Sequence, residues 1–426
     1  MNTSVRWMHS GMQGAPVLDN NWGDLTAMLR ACCVTGFNVR PIQSITCQGT
    51  KATIQCAGHG YLEHQVVQIE NATPAGYNGA HRVVSVEGAN TLTIELEAEL
   101  PEAQAVPGQT LQMRTAPLGW ESLFDDGGQK LVLRSTDPQS TRNVLRVDDS
   151  CPAGYTTTWA KFGRVTMAQN MSDLDTFIGA RAPFDPSDPM KNEVPKGSGS
   201  SIRSGWLKWY YAMAGNAEAE TYSPRAGARN WVLIGDGRGF FFGNSLAEAG
   251  AAIVLWHFGD VDSLQRPDAC ATLLTAVEND GPANTSGSVF ASGSLVTGQA
   301  QNKGRLLLRD YTGEGAPVRC NQRSLDVGSY AANWVSGGSD QVPFPNGPGN
   351  GLLVHPVWLQ QENRHLRGRL RGAYHLLNKP GLGHLSIVDG VAGLPGRKMM
   401  LVDVRTVVHT NGVLGALAFD ITGPWS

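Results

Sequence analysis

Carboxylates stand close together at Asp125/Asp126, Asp148/Asp149, Asp173/Asp175 and Asp185/Asp188. Two acids facing each other across a groove could divide the acid and base roles of glycoside hydrolysis. Neighbours in sequence need not face a common groove, however, and Asp at turns and helix ends hydrogen-bonds its own backbone. The 185–188 loop would be the place for Ca²⁺, but its spacing matches no oxygen cage. The histidines include no pair at the spacing of a metal-binding helix, and His355, His365, His375 and His384 are scattered over the last third. The stretch Gly235-Asp236-Gly237-Arg238-Gly239 follows an apolar run as a phosphate-cradling loop would. Phe240–Phe242 behind it read as a strand, whereas a dinucleotide site needs a helix there, so a hairpin turn is the reading. A nucleophile elbow, a Walker A loop, His-Glu-x-x-His and Cys-x-x-Cys are all missing from the sequence. The expectation is a non-enzymatic protein with no catalytic residue, cofactor or metal.

Two patterns are less ordinary. Arg367, Arg369 and Arg371 alternate with Gly368 and Leu370, so a strand would carry the three guanidinium groups on one face. A solvated strand face, a salt-bridge seam between subunits, and a contact to nucleic acid or phosphorylated polysaccharide are the readings, in that order. The second pattern is Trp206-Leu207-Lys208-Trp209-Tyr210-Tyr211. On a strand, Trp206 and Trp209 fall on opposite faces, as in a central strand buried between sheets or, less readily, a platform for stacking sugars. Trp206, Trp209, Arg367, Arg369 and Arg371 are therefore the candidate interface or glycan contacts.

Residues 20–34 form the clearest helix. Asn20 or Asn21 would cap it, Leu25, Met28, Leu29 and Cys32 share one stripe, and Gly36 ends it. A Gly- and Pro-punctuated arm precedes it and either folds back or reaches a neighbour. From residue 43 to 115 the apolar period becomes two, with turns at Gln48-Gly49, Asn78-Gly79 and Gly88-Ala89-Asn90. The remainder reads as a large β domain with long loops at 183–201 and 337–351, and a short helix around 171–178 capped by Ser172. The expected organisation is an arm and helix over 1–40, a small β-sandwich or barrel module over 41–116, and a large β-rich domain over 117–426. The fold class is mainly β with one N-terminal helix.

Bulk properties agree with that architecture. Of the 426 residues 41% are hydrophobic, enough for a sizeable core, and 51 Gly with 23 Pro favour short strands and many turns. Charged residues are only 17% with a net charge of −3, so neither nucleic acid nor a membrane surface is an expected bulk partner, and part of the surface is expected to be covered by other subunits. The first residues show no secretory leader and no apolar run is long enough to span a membrane. The seven scattered cysteines read as reduced thiols, with a Cys47–Cys56 disulfide as the alternative.

Several segments together carry a resemblance: Trp7–Pro16, the stretch Ala31-Cys32-Cys33-Val34-Thr35-Gly36-Phe37, Gly58–Tyr61, Ala75–Gly79, Ala116–Glu121, Leu133–Pro138, Leu145–Asp149, Trp231–Asp236 and Phe419–Trp425. On these the chain resembles a family of virion structural proteins, of the tail or baseplate type, from tailed bacteriophages and prophages. The resemblance implies a multi-copy assembly partner in the virion, built in the host cytoplasm, whose partners are copies of itself and other virion proteins. It supplies no catalytic or binding residues. The small module is similar to the immunoglobulin-like or barrel inserts of phage tail and head proteins. A receptor- or glycan-binding adhesin of the particle, with a host surface glycan as partner, and a capsid decoration protein are the alternatives.

Overall fold

The computed structural model describes residues 2–214, 219–248, 250, 253–264, 271–285, 304–308, 317–323, 344–361, 365–378, 381–404 and 415–425. The fold is mainly β, and the strands pair antiparallel in three large sheets and one small ribbon. Alternating apolar residues and closely spaced Gly turns favour this arrangement, because each short strand can pair with a neighbour only a few residues away.

The small module is a seven-stranded sheet whose two edge strands are Phe37–Pro41 and Ser44–Gln48. Only Ile42 and Gln43 separate these edges in sequence. Two residues bridge little more than one strand spacing, so the sheet must roll until its edges meet. Ile45, Ile54, Tyr61, Val67, Val83, Leu92, Ile94 and Met113 fill its interior. Cys47 lies opposite Ala52 in the ladder and Cys56 four residues further on. Both are free thiols, as are the other four described cysteines, so the alternative of a disulfide between them is set aside; Cys270 lies outside the described residues.

A second seven-stranded sheet starts at Glu121–Asp125 and includes Lys130–Arg134, Val144–Asp148, Lys161–Met171 and Leu207–Ala212. The third has twelve strands. Six of these close on themselves: Val254–Ser263, Ala271–Thr275, Arg305–Leu308, Val318–Arg323, Val354–Gln361 and His365–Leu376 form a ring, completed by Asp262 opposite Arg369 and Ser263 opposite Gly368. Aromatic rings join the second and third sheets. Trp209 meets Phe240 and Phe242, and Trp120 meets Phe240 and Phe258.

The N-terminal arm folds back on its own chain. Its strand Arg6–His9 pairs with Trp231–Gly235 and becomes an edge of the twelve-stranded sheet. Arg82 of the small module donates to the carbonyls of Asn2, Val5 and His64, fastening the module to the arm. The helix is shorter than the apolar stripe suggests, running Asp24–Arg30 and then widening into a π-helical turn, Ala31–Thr35, before Gly36 at φ +72°. The stripe itself, Leu25, Met28, Leu29 and Cys32, is fully buried. Neither Asn20 nor Asn21 caps it: the N-cap is Gly23, which has no side chain to accept a hydrogen bond.

The helix expected near 171–178 is a hairpin instead, between Lys161–Met171 and Phe177–Ala182. Asp173 accepts the N–H groups of Asp175 and Thr176, which turns the chain before a helical hydrogen bond can form. Of the long loop expected at 337–351, residues 337–343 lie outside the described residues.

Closure of the six-stranded ring depends on one small residue. A Cβ at Gly368 would overlap the carbonyl oxygen of Asp262 on the facing strand. We expect Gly368→Ala to lower stability by about 1–3 kcal/mol as the ring is forced apart. The urea midpoint of the purified protein measures this, with Gly347→Ala, at an open position, as a control that should move little.

Candidate functional site

The residues singled out in the sequence separate into buried and accessible groups. Strand Leu207–Ala212 is buried on both faces, because one face meets the twelve-stranded sheet and the other is covered by loops. Trp209 is fully enclosed and donates from Nε1 to the Thr275 carbonyl at 2.6 Å. It cannot stack on a sugar or touch a neighbouring subunit, which corrects that expectation. Trp206 lies just before the strand and is half-buried. Its Nε1 donates to Glu278 at 3.1 Å, and the Lys191 ammonium sits 4.3 Å from its ring centre.

Beside Trp206 the loop after Phe177–Ala182 forms a cleft of about 390 Å³. Its wall carries Asp188, Lys191, Lys196, Arg203, Asp280 and Ser201. An antiparallel bridge between Lys196 and Arg203 holds its shape. Lys191 is drawn to Asp280 at 2.8 Å and to Asp185 at 3.4 Å, and Lys196 pairs with Asp188. These lysines occupy the carboxylates that a Ca²⁺ ion would need. Arg203 is exposed and has no ion-pair partner among the described residues. The cleft can therefore offer one guanidinium, the Ser201 hydroxyl and two ammonium groups to a polar ligand.

The arginine strand forms as expected, within His365–Leu376, but its charges are used inside the chain. Arg369 reaches Asp262 at 3.2 Å across the closure of the six-stranded ring. Arg367 donates to Gln361 of the adjoining strand. Arg371 is buried and forks onto Asp236, with Nη2–Oδ2 at 2.8 Å and Nη1–Oδ1 at 3.2 Å, and also donates to the Trp425 carbonyl. Arg371 is thus unavailable to a partner subunit or a glycan, since its fork is already filled. Asp236 belongs to the glycine-rich stretch, which is a hairpin turn whose N–H groups at Arg238 and Gly239 are held by that same carboxylate.

The acidic pairs diverge. Asp125 pairs with Arg30, and Asp126 holds the turn N–H groups of Gly128 and Lys130. Asp148 lies on the outer face of its sheet between two buried arginines, 2.8 Å from Arg164 and 3.1 Å from Arg146. Burial penalises its charge, and the two guanidinium groups outweigh that, so its carboxyl sits below the ordinary range. Asp149, one residue on, points the opposite way into the core. Its Oδ2 accepts the N–H groups of Gly23, Leu25 and Thr26 at 2.9, 2.9 and 3.4 Å, which makes it the missing cap of the helix.

The proton inventory at Asp149 is informative. The Tyr211 hydroxyl lies 2.7 Å from both Asp149 Oδ1 and the Asn21 carbonyl, and has one hydrogen for two acceptors. A proton on Oδ1 satisfies all three, with Oδ1 donating to Tyr211 and Tyr211 to Asn21. Burial pushes this carboxyl well above the ordinary range, in agreement with that arrangement. The histidines fill unrelated places. His257 is fully enclosed and pushed down to about 3 by burial, and His384 accepts the Asp403 N–H. Among the described residues no group of three or more His, Cys, Asp or Glu could hold a metal.

No family model matches the chain, and no curated protein does. Among solved structures, a phage phi92 endosialidase is similar at a TM-score of 0.16 and 14% identity, over 88% of this chain and 57% of that one. The chain spans little more than half the length of that protein, and a likeness so slight carries no argument for fold or function.

Sequence reasoning missed Asp236, Asp262 and Asp149 as the groups that organise their surroundings. Asp149 left a trace as an acid beside a second acid, and Asp236 as part of the glycine-rich stretch, while Asp262 left none. We expect Arg371→Met to cost about 3–5 kcal/mol, because it strands the buried Asp236 charge. Arg367→Met should stay within about 0.5 kcal/mol, and urea titration distinguishes the two.

For Asp149, a raised folded pKa means stability that is whole below the unfolded value of about 3.9 and declines as pH rises. Asparagine reproduces the protonated state. Asp149→Asn should therefore match the wild type near pH 4 and unfold at higher urea than the wild type at pH 8. A difference independent of pH would show the carboxylate to be ionised. Asp148 has the opposite sign: its contribution is present above about pH 4 and is lost as pH falls through its depressed value.

Proposed function

We propose that the chain is a structural component of a tailed-phage virion, placed in the tail, baseplate or head–tail region, that acts by assembling with copies of itself and with other virion proteins. The observation that carries this reading is a cluster of exposed apolar side chains at a sheet edge. Phe184, Met190 and Val194 are 47%, 40% and 48% exposed within one loop. Arg181 gathers that loop by lying over the rings of Phe177 and Phe184 and donating to the Pro189 carbonyl. The preceding strand, Phe177–Ala182, pairs only with Lys161–Met171 among the described residues. An open strand edge beside grouped apolar side chains is unfavourable in water and is ordinarily covered by another subunit.

The low charge of the chain supports the same reading, as does its sequence resemblance to virion structural proteins. On this reading the protein performs no turnover. The second reading is a glycan-binding adhesin of the particle, and the cleft beside Trp206, with the exposed Arg203, favours it. In that case Trp206 and the cleft donors make the contact, since Trp209 and Arg371 are enclosed.

Light scattering of the purified protein, alone and mixed with virion sub-assemblies, tests assembly. A discrete ring or trimer, or incorporation into tails, is expected, and Val194→Glu should weaken either. A monomer that ignores sub-assemblies would sink the reading. Binding to a glycan array that is lost in Arg203→Ala would favour the adhesin instead.

A further inference from the structure

Behind the cleft lies a group of reactive side chains to which assembly assigns no role. Lys208, Glu220, Ser204 and Tyr210 are 0%, 2%, 0% and 1% exposed. Lys208 Nζ lies 2.6 Å from Glu220 Oε1 and 2.7 Å from Ser204 Oγ. Ser204 Oγ donates to Glu220 Oε2 at 2.6 Å, and the Tyr210 hydroxyl donates to Oε1. The Phe162 ring, 4.7 Å from Nζ, covers the amine. Glu220 is anchored through its backbone as well, to Ala283 through its N–H and to Ala160 through its carbonyl.

This geometry has an amine paired with a carboxyl group, a hydroxyl bridging the amine to one carboxyl oxygen, and a second hydroxyl on the other oxygen. We propose that Lys208 and Glu220 condense into a side-chain amide, a covalent cross-link between strand Leu207–Ala212 and the segment that carries Glu220. The step balances without any co-reactant. Nζ attacks Cδ, the Cδ–Oε2 bond breaks, and Oε2 leaves as water. Of the three ammonium protons, one stays on the amide nitrogen and two leave with Oε2. Ser204 relays them, since its Oγ accepts from Nζ and donates to Oε2. Oε1 becomes the amide oxygen, and the Tyr210 hydroxyl stabilises the negative charge it gathers during attack.

Two physical effects favour the reaction. Fixed contact between the groups replaces a bimolecular encounter, an advantage of roughly 10⁵–10⁸ M in effective concentration. The product also removes two opposite charges from an interior that solvates them poorly. Burial already lowers the basicity of Lys208 and so favours the neutral amine that must attack.

The mass of the full chain, measured under denaturing conditions, tests the proposal. The wild type should be lighter than its sequence by one water. Trypsin should leave residues 204–225 as one peptide, uncut at Lys208. Chymotryptic cleavage after Tyr211 should then give two chains still joined through Lys208 and Glu220. Lys208→Met and Glu220→Ala should each have the full sequence mass. A wild-type chain of full mass overturns the proposal. So does a missing water that cannot be placed between these two residues, or a loss of ammonia, which would put the bond on an amide side chain. Because the measurement is made on the wild-type chain, the result does not depend on whether either variant folds.

Discussion

The Asp149 carboxyl holds the N-terminal part of the molecule to the rest. A helix of seven residues, Asp24–Arg30, is too short to persist alone in water. Three of its first N–H groups have no partner within the helix, and Gly23 offers no side chain to cap them. Asp149, projecting from the end of a strand in the second sheet, accepts all three while bonding to Tyr211 of the central strand. The helix is thereby fixed over the second sheet, and the arm before it is brought beside Trp231–Gly235 as an added strand. Leu25, Met28 and Leu29 then enter the same apolar cluster as Trp209, Phe240 and Trp256.

Buried charge is the second organising feature. Asp148 between Arg146 and Arg164, and Arg371 on Asp236, lie out of water. Each group would be costly alone and is tolerated because an opposite charge faces it, even though Arg146 Nη1, Arg164 Nε and Arg371 Nε find no hydrogen-bond partner among the described residues. Such pairs act as locks, since a mispaired sheet would leave a charge uncompensated. A chain with only 17% charged residues that places so many of them inside has fewer left for its surface. That leaves room outside for the apolar group around Phe184 and Val194, from which the assembly reading starts.

Much of the architecture was legible in the residues. Alternation over 43–115 and Gly-centred turns specified a small rolled sheet, because strand period and turn chemistry are local properties. The stripe Leu25, Met28, Leu29, Cys32 specified a helix with one buried face for the same reason. The glycine-rich stretch 235–239 was legible as a hairpin turn, since only a helix after it could have made it a phosphate cradle. The short helix expected near Ser172 failed on a local contest, in which Asp173 captured the turn before a helical bond could form.

What tertiary structure alone decided is who meets whom. The alternation of Arg367, Arg369 and Arg371 determined that they share a strand face, but their partners, Gln361, Asp262 and Asp236, depend on which strand closes the ring. The run Trp206–Tyr211 determined a strand, yet whether Trp209 would be wet or enclosed rested on the sheet that packs over it. Asp148 and Asp149 are adjacent in sequence and end in opposite environments, one between guanidinium groups and one as the cap of a helix, because successive side chains on a strand point to opposite faces. Sequence fixes the period and the chemical repertoire, which depend on covalent neighbours. Pairing, burial and protonation depend on residues tens or hundreds of positions away, and only the folded chain brings those together.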